Sequence, residues 1–210
     1  MKNLEISKLK LDENSLREQG YNSIIGVDEA GRGPLAGPVV AAAVMTPKDF
    51  YIKGVDDSKK LTEKKREEIF NQVILDKNLH IGIGIIEPAV IDEINILQAT
   101  FVAMKNAISQ ISKKADLVLF DGSTYPLISM ESRPVIKGDQ KYFSIALASI
   151  IAKHKRDEIM KLLHEKHPEY FFDKHKGYGT KKHIEMIHKH GPTKIHRFSF
   201  EPIKSSFKRK

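Results

Sequence analysis

Four acidic residues lie at positions where a folded chain rarely places carboxylates without a function: Asp28, Glu29, Asp121 and Asp139. The first two follow the apolar run 24–27, the third ends the apolar run 117–120, and the fourth precedes a helix rich in small residues. Functional sites in α/β sheets form at strand ends. For each acid alone, a turn cap or a lysine partner is the better explanation, but the four together favour a shared site.

The chemistry of such a site follows from its oxygen ligands. Neighbouring buried carboxylates repel one another and need a compensating cation. The chain contains no cysteine, and an all-oxygen set suits hard cations such as Mg²⁺ or Mn²⁺. Two such ions bridging a phosphodiester can activate water on one side and stabilise the leaving oxygen on the other. The four carboxylates are therefore compatible with a site for two divalent cations, Mn²⁺ or Mg²⁺.

The strands that must position these carboxylates are short apolar segments. Residues 23–27 and the Val- and Ala-rich residues 38–45 predict two strands joined by a Gly-rich turn. Residues 79–86 alternate apolar residues with glycine and predict a third strand. The continuous apolar run 117–120 is typical of a central strand that is buried on both faces.

The helices are indicated by caps and by helical periodicity. A short helical lead-in is predicted over the first twenty residues, and Thr62 is predicted to cap a helix that ends near residue 75. A longer helix is predicted from apolar residues that recur at steps of three and four: Leu97, Phe101, Met104, Ile108 and Ile111. Two more helices are predicted over residues 143–163 and about 181–189.

The order of these elements predicts the fold class. Three strands followed by helix, strand and helix indicate an α/β fold with a mixed sheet flanked by helices. A chain of 210 residues suits one domain. We expect a single domain over residues 1–210, with a core at about 20–165 and a short helical C-terminal extension at about 166–210. The extension has too few apolar residues for a core of its own.

The charge of the chain narrows the class of partner. The formal net charge is +8 and the sequence pI is about 9.4. A basic surface attracts polyanions and speeds their encounter, and the basic residues form separate clusters that suit several phosphate contacts along a duplex. The first fifteen residues have no continuous apolar stretch, so we expect neither a secretory signal nor a membrane span there. The lack of cysteine fits a reducing cytoplasm.

Two groups of residues look like metal ligands but are interpreted otherwise. Asp157 lies about four turns into the predicted helix that begins at residue 143, so we expect it to pair with Lys153 or Arg156. Three histidines in the C-terminal part are separated by steps of five and two, which do not align them on one helix face: His183, His188 and His190. We expect these histidines at the surface or facing nucleic acid.

The stretch from Gly26 to Val39, GVDEAGRGPLAGPV, closely resembles the signature of the bacterial ribonuclease HII family, a type 2 ribonuclease H. Further matches occur in family order over nearly the whole chain after residue 20: 56–61 (DDSKKL), 118–122 (VLFDG), 137–139 (KGD), 148–153 (ASIIAK), 156–157 (RD), 175–180 (HKGYGT), 196–197 (HR) and 199–200 (SF). The resemblance implies a ribonuclease H-like α/β fold with a short helical C-terminal part.

The resemblance also implies an activity and roles for individual residues. Family members cut the RNA strand of RNA–DNA hybrids. They also cut duplex DNA on the 5′ side of single ribonucleotides and leave a 3′-hydroxyl and a 5′-phosphate. The family's metal-binding carboxylates match Asp28, Glu29, Asp121 and Asp139. Its ribose 2′-hydroxyl loop matches Gly31, Arg32 and Gly33, its sugar-stacking tyrosine matches Tyr178, and its phosphate-contacting loop matches Ser58, Lys59 and Lys60.

Three other functions are weighed against this one. Ribonuclease HIII shares the core but has a sizeable N-terminal substrate-binding domain, for which about twenty residues before the first strand leave no room. A different two-metal nuclease or transposase of the same fold would have no use for a 2′-hydroxyl loop. A non-catalytic nucleic-acid binder would keep its binding, with no cleavage to lose, when the carboxylates are replaced.

We expect the partners to be RNA–DNA hybrids and DNA duplexes that contain ribonucleotides, and we expect the protein to be a cytoplasmic monomer. The C-terminal residues 206–210 (SFKRK) are short and basic with one aromatic side chain. We interpret them as a disordered end, and contact with a replication clamp stays an open alternative.

Overall fold

A five-stranded mixed sheet forms the centre of the computed structural model, which describes residues 8–56, 58 and 60–207. The strands lie in the order β3-β2-β1-β4-β5. Strand β2 is antiparallel to both of its neighbours, β1 and β3, whereas β4 is parallel to both β1 and β5. Their bounds are β1 Ile24–Ala30, β2 Val39–Met45, β3 His80–Ile86, β4 Leu117–Asp121 and β5 Ser132–Val135. The predicted mixed sheet is confirmed.

Helices cover both faces of this sheet. The α-helices of the described residues are α1 Lys8–Glu18, α2 Glu63–Val73, α3 Pro88–Ser109, α4 Phe143–Lys166, α5 Phe172–His175, α6 Lys181–His190 and α7 Ile203–Ser206. Strand β2 shows how the two faces are divided, because its side chains alternate. Ala41 and Ala43 pack in one apolar core with α3, and Ala42 and Val44 pack in a second core with α4.

Two glycines in β3 allow α3 to approach the sheet closely. A Cβ atom at Gly82 would lie 1.9 Å from the carbonyl oxygen of Ala107, and one at Gly84 would lie 2.0 Å from that of Ala103. These alanines belong to the buried face of α3, together with Met104 and Ile108. Glycine on the strand and alanine on the helix therefore set the distance between the two elements.

The helix predictions are largely confirmed, with one break that the sequence pattern did not show. The side chain of Thr62 accepts a hydrogen bond from the Lys65 backbone N–H at 3.2 Å and caps α2. In α3 the residue Asn95 has φ 67° and ψ 164°, and its side chain accepts hydrogen bonds from two following N–H groups. The predicted stripe lies in the second part of this helix, where Leu97 and Phe101 are only half-buried, except that Ile111 falls after the helix has ended.

Two strand predictions need correction. β1 was predicted to end at Val27 but continues to Ala30, because Asp28 and Glu29 still pair with β2 after the pairing with β4 has ended. β5 was not predicted at all. It includes Pro134 and has no apolar alternation, both of which are tolerated on an edge strand such as this one.

The C-terminal extension packs on the rest of the molecule. Tyr170, Phe172 and Ile203 share an apolar cluster with Leu35 and with Met160 of α4. The extension therefore completes its core with residues from the loop after β1 and from α4. Within the described residues, no helix is long and apolar enough to cross a membrane.

Candidate active site

The register of the sheet brings Asp28 and Asp121 together. β1 and β4 are parallel, and Val27 is the partner of Phe120 at the end of their pairing. The next residue on each strand is an aspartate, so the two carboxylates leave neighbouring strands at the same level. Asp28 is buried, with 6% of its surface exposed, and Asp121 is half-buried.

A cleft of about 290 Å³ opens over these strand ends. Its lining contains three of the four predicted carboxylates, Asp28, Glu29 and Asp121. The other lining residues come from the end of β1, the glycine loop 31–33, the loop before α2, helix α4 and the loop before α6: Ala30, Gly31, Ser58, Ser149, Lys153, Arg156 and Tyr178. Residues distant in the sequence thus meet at one edge of the sheet.

Burial and mutual repulsion make it unfavourable for the carboxylates in the cleft to be ionised together. Burial raises the pKa of Asp28 well above its usual value, and the neighbouring charges of Glu29 and Asp121 raise it further. The pKa of Glu29 is also raised by burial, an effect that the nearby Arg32 guanidinium opposes. A bound cation would reverse this repulsion and favour the ionised forms.

Asp139 is connected to this group through the turn in which it lies. A 3₁₀ turn over Gly138–Gln140 precedes α4, and the Gly138 N–H donates a hydrogen bond of 2.6 Å to Oδ1 of Asp121. Asp139 itself is 5% exposed. The structure thus places Asp139 next in sequence to a residue bonded to Asp121, although Asp139 is not among the residues that line the cleft.

The donor set fits a hard divalent cation by its chemistry. Three carboxylates lie in a partly buried cleft where the pKa of Asp28 and that of Glu29 are raised, and Ser149 donates its hydroxyl to Asp28. As the side chains stand in the described residues, no three or more Asp, Glu, His or Cys side chains already form a group that could hold a metal ion. A shared ion would therefore draw these side chains closer together than they stand here.

The predicted ribose-reading loop borders the cleft. Gly31 has φ +98°, and a Cβ atom there would lie 2.1 Å from Nε of Arg156, so glycine is required on both counts. Arg32 is exposed at the rim and its Nη1 lies 3.4 Å from Oε1 of Glu29. A Cβ atom at Gly33 would meet the ring of Tyr178 at 3.7 Å. The glycine loop and Tyr178, separated by about 145 positions in the sequence, are therefore adjacent.

The three residues of the predicted phosphate-contacting loop have different surroundings. Ser58 lines the cleft but is buried, and its hydroxyl is 2.7 Å from that of Ser149. Lys60 is exposed and its Nζ lies 3.2 Å from Oδ1 of Asp56. Lys59 lies outside the described residues, as do residues 208–210 of the basic tail.

Two further predictions concern residues near the cleft. Asp157 forms an ion pair with Lys153, as one of the two predicted pairings required, and a second pair with Arg66 at 3.3 Å. Arg156, the other predicted partner, instead donates to backbone carbonyl groups. His188 and His190 are exposed.

The prediction for His183 was wrong. His183 is fully buried and hydrogen-bonds through Nδ1 to the carbonyl oxygen of Tyr178 at 2.9 Å. Spacing along a helix excludes a shared ligand face, but it does not show what packs over the helix, and here the rings of Phe172 and His196 do so.

Sequence reasoning also missed residues of the cleft itself. Ser149 donates to Asp28 and Lys153 lines the cleft. From the sequence, both were noted as part of a motif, and Lys153 also as a partner of Asp157, but neither was assigned to the site. Their spacing of four places both on one face of α4. Two polar residues four positions apart on one face of the predicted helix are the signal that could have identified them.

Comparisons with known proteins agree on one family. The family model described as Ribonuclease HII matches residues 25–203. Ribonuclease HII of Bacillus anthracis (strain CDC 684 / NRRL 3495) is 53% identical over 206 residues, which are 98% of this chain and 78% of that protein. Ribonuclease HII of Caldicellulosiruptor bescii is 53% identical over 188 residues, which are 90% of this chain and 91% of that protein.

Solved structures show the same fold. The crystal structure of ribonuclease H2 from Pyrococcus horikoshii OT3 has a TM-score of 0.72 and 26% identity, covering 87% of this chain and 96% of that one. The structure of Bst-RNase HIII in complex with Mn²⁺ has a TM-score of 0.69 and 18% identity, covering 90% of this chain and 70% of that one.

The match to the family model covers most of the chain, and it includes the strand ends, the glycine loop and the Tyr178 loop that together form the cleft. Half of all aligned residues are shared with curated relatives over nearly the full length. The chain therefore belongs to the ribonuclease HII family, whose members are endoribonucleases that act on RNA–DNA hybrids.

Proposed function

We propose that the protein hydrolyses the RNA strand of RNA–DNA hybrids and nicks duplex DNA on the 5′ side of an embedded ribonucleotide, leaving a 3′-hydroxyl and a 5′-phosphate. The observation on which this rests is the adjacency of two features in one cleft. Buried carboxylates suited to divalent cations lie beside a glycine loop and a tyrosine that are suited to a ribose.

We further propose Asp28, Glu29, Asp121 and Asp139 as the residues that hold two divalent cations, Mn²⁺ or Mg²⁺. When bound between such carboxylates and a phosphodiester, a pair of cations activates water and stabilises the leaving oxygen. Asp28 and Asp121 project from neighbouring strands and would hold their ligands from a rigid base. Ser149 and the Gly138 N–H each bond one of these carboxylates and limit its rotation.

The remaining residues of the cleft would bind and orient the nucleic acid. Gly31 and Gly33 let the backbone approach the minor groove, where a 2′-hydroxyl distinguishes RNA from DNA. The half-exposed ring of Tyr178, beside Gly33, can stack on the sugar at the junction. Arg32, Lys60 and Lys59 supply positive charge for phosphate groups. Ser58 would orient Ser149, because the two buried hydroxyl groups hydrogen-bond to each other.

One assay tests the activity directly. A DNA duplex with a single ribonucleotide and the same duplex without it are incubated with the protein, with Mn²⁺, with Mg²⁺ and with a chelator. We expect nicking of the ribonucleotide duplex with a metal, none with the chelator, and none of the all-DNA duplex. Comparable cleavage of the all-DNA duplex would point to a general two-metal nuclease instead. Binding of both duplexes without cleavage would point to a non-catalytic binder.

We expect a monomer to perform this reaction.

A further inference from the structure

Arg197 is a fully buried guanidinium whose hydrogen bonds all go to backbone carbonyl groups of one loop. Nη2 donates to the carbonyl oxygen of Gly31 at 2.6 Å, and Nη1 donates to that of Arg32 at 3.0 Å. Nε and Nη2 both donate to the carbonyl oxygen of Gly37, at 3.1 and 2.8 Å. The rigid fork of the guanidinium therefore fixes both ends of the loop 31–37.

These bonds determine how the loop presents its N–H groups. In a trans peptide the C=O and the following N–H point in opposite directions. Because the carbonyl groups of Gly31 and Arg32 turn toward Arg197, the N–H groups of Arg32 and Gly33 turn away from it. Gly31 lines the cleft and Gly33 faces Tyr178. Arg197 thus holds this backbone from the protein interior while the opposite side is left for substrate.

The neighbouring residue, His196, is connected to the second loop of the cleft. Nδ1 of His196 accepts a hydrogen bond from the Thr193 N–H at 3.0 Å, so in the neutral ring the proton is on Nε2. Nε2 of His196 lies 3.2 Å from Nε2 of His183, and Nδ1 of His183 lies 2.9 Å from the carbonyl oxygen of Tyr178. The consistent tautomers make His196 the donor to His183, and His183 the donor to Tyr178.

Both histidines are neutral under ordinary conditions, as this chain of hydrogen bonds requires. Burial lowers the pKa of His183 to about 4 and that of His196, with a contribution from the neighbouring His183, to about 3. The rings of Tyr170 and Phe172 pack against His196 and exclude water from it. The backbone adds further links, since the Arg197 N–H donates to the Leu35 carbonyl oxygen at 2.8 Å.

We propose that the buried dipeptide His196-Arg197 is a positioning element that fixes the glycine loop 31–33 and Tyr178 relative to each other, and thereby sets the preference for a ribonucleotide over a deoxynucleotide. Neither residue lines the cleft: Arg197 acts on the backbone of the glycine loop directly, and His196 acts on the backbone of Tyr178 through His183. The proposal rests on the proposed function, because it assumes that these two loops contact the ribose.

The test uses Arg197→Lys, which keeps the charge but loses the fork, and two replacements of His183. His183→Asn retains an N–H donor near the position of Nδ1, and His183→Leu removes it while filling much of the same volume. Single-turnover nicking of the ribonucleotide duplex gives a maximal rate and a half-saturating protein concentration for each variant. Binding to the matching all-DNA duplex and thermal unfolding midpoints are measured in parallel.

For Arg197→Lys and His183→Leu we expect the half-saturating concentration for the ribonucleotide duplex to rise about tenfold, the usual effect of losing one such hydrogen bond. Affinity for all-DNA duplex should stay within a factor of about two, and His183→Asn should stay near the unchanged protein. Loss of folded protein alone would raise the half-saturating concentration for both duplexes by the same factor and leave the maximal rate unchanged, so the ratio of ribonucleotide to all-DNA affinity would not change.

Folded Arg197→Lys and His183→Leu variants with an unchanged ratio of ribonucleotide to all-DNA affinity would overturn the proposal. So would equal losses for both duplexes. If Arg197→Lys does not fold, the comparison of His183→Leu with His183→Asn decides, because rescue by asparagine is expected only from the hydrogen bond. Absence of any ribonucleotide preference in the unchanged protein would instead contradict the proposed function.

Discussion

At the scale of single residues, the proposed chemistry depends on carboxylates that are placed by strand register. Asp28 and Asp121 follow the last paired residues of two parallel strands, so their proximity does not depend on a flexible loop. Burial and the neighbouring charges of Glu29 and Asp121 raise the pKa of Asp28, and a bound cation would offset this repulsion. Asp121 is also held by the Gly138 N–H, which fixes the orientation of one of its oxygens.

Asp121→Asn should lower the nicking rate by roughly a hundredfold to a thousandfold, because a correctly held metal ion contributes several kcal/mol to the transition state. Binding of the duplex at low salt should be largely spared, since removing a negative charge does not weaken phosphate contacts. Asp116→Asn is a matched control, because Asp116 is exposed before the other end of β4 and keeps an acceptor oxygen there. Normal turnover of Asp121→Asn would remove Asp121 from the metal site.

The sequence was informative about the carboxylates and less so about what supports them. The apolar runs before Asp28 and Asp121 predicted strand ends, and parallel strands bring such ends to one edge. The burial of Ser58, Ser149 and His183 depends on which helix covers them, and a single sequence contains no record of that packing. The resemblance to a known family identified these segments as important but did not indicate their contacts.

At the scale of elements, the site is positioned by the close packing of helices on the sheet. α4 brings Ser149 and Lys153 to the cleft from one face, and α3 packs on the other face against the glycines of β3. The periodic pattern predicted α3 but not its break at Asn95. The Asn95 side chain caps the turn that follows it, and the spacing of apolar residues contains no information about such a cap.

Gly84→Ala should destabilise the fold by about 1–3 kcal/mol, the usual cost of overpacking a close-packed interface. The added Cβ would lie 2.0 Å from a backbone carbonyl oxygen of α3, which cannot rotate away. Ile85→Thr on the same strand is the control, since Ile85 is exposed and threonine keeps the β-branch; its effect should be within about 0.5 kcal/mol. Chemical denaturation measures both, and equal stability of the two variants would refute the packing argument.

At the scale of the whole molecule, the C-terminal extension is joined to the sheet by buried polar groups as well as by apolar packing. Both arginines that make this connection are buried: Arg197 of the extension donates to carbonyl groups of the loop that follows β1, and Arg156 of α4 donates to that loop at Ala36 and to the extension at Lys176. Burial lowers the pKa of Arg156 to about 10 and that of Arg197 to about 9, so both remain charged at neutral pH. The sequence predicted an extension without its own core, but it did not predict this polar connection. Arginine is usually exposed, so a sequence pattern gives no reason to expect an arginine to be buried.

Stability should fall with acidification through the histidine pair. The folded pKa values of His183 and His196, about 4 and about 3, lie below the ordinary value of 6.5, so the unfolded chain binds more protons between these limits. Their contribution is complete above pH 6.5 and is lost as the pH falls toward 4, by up to about 1.4 kcal/mol per pH unit for each histidine.

The variant His196→Gln isolates this effect, because Asp28 and Glu29 titrate in both proteins and cancel in the comparison. The free energy of unfolding, measured by denaturation from pH 7.5 to 4.5, should decline more steeply for the unchanged protein than for His196→Gln. Parallel curves would show that His196 is not held neutral in the folded state.

The central claim is that the protein cleaves next to a ribose that the adjacent loops recognise, at carboxylates that would hold the divalent cations. Mapping the product ends of a duplex with a single ribonucleotide tests this claim most directly. We predict a cut on the 5′ side of the ribonucleotide that requires Mn²⁺ or Mg²⁺ and leaves a 3′-hydroxyl and a 5′-phosphate, because water, and not the 2′-hydroxyl, attacks the phosphorus. A cut on the 3′ side that leaves a 2′,3′-cyclic phosphate, or cutting that continues in a chelator, would contradict it.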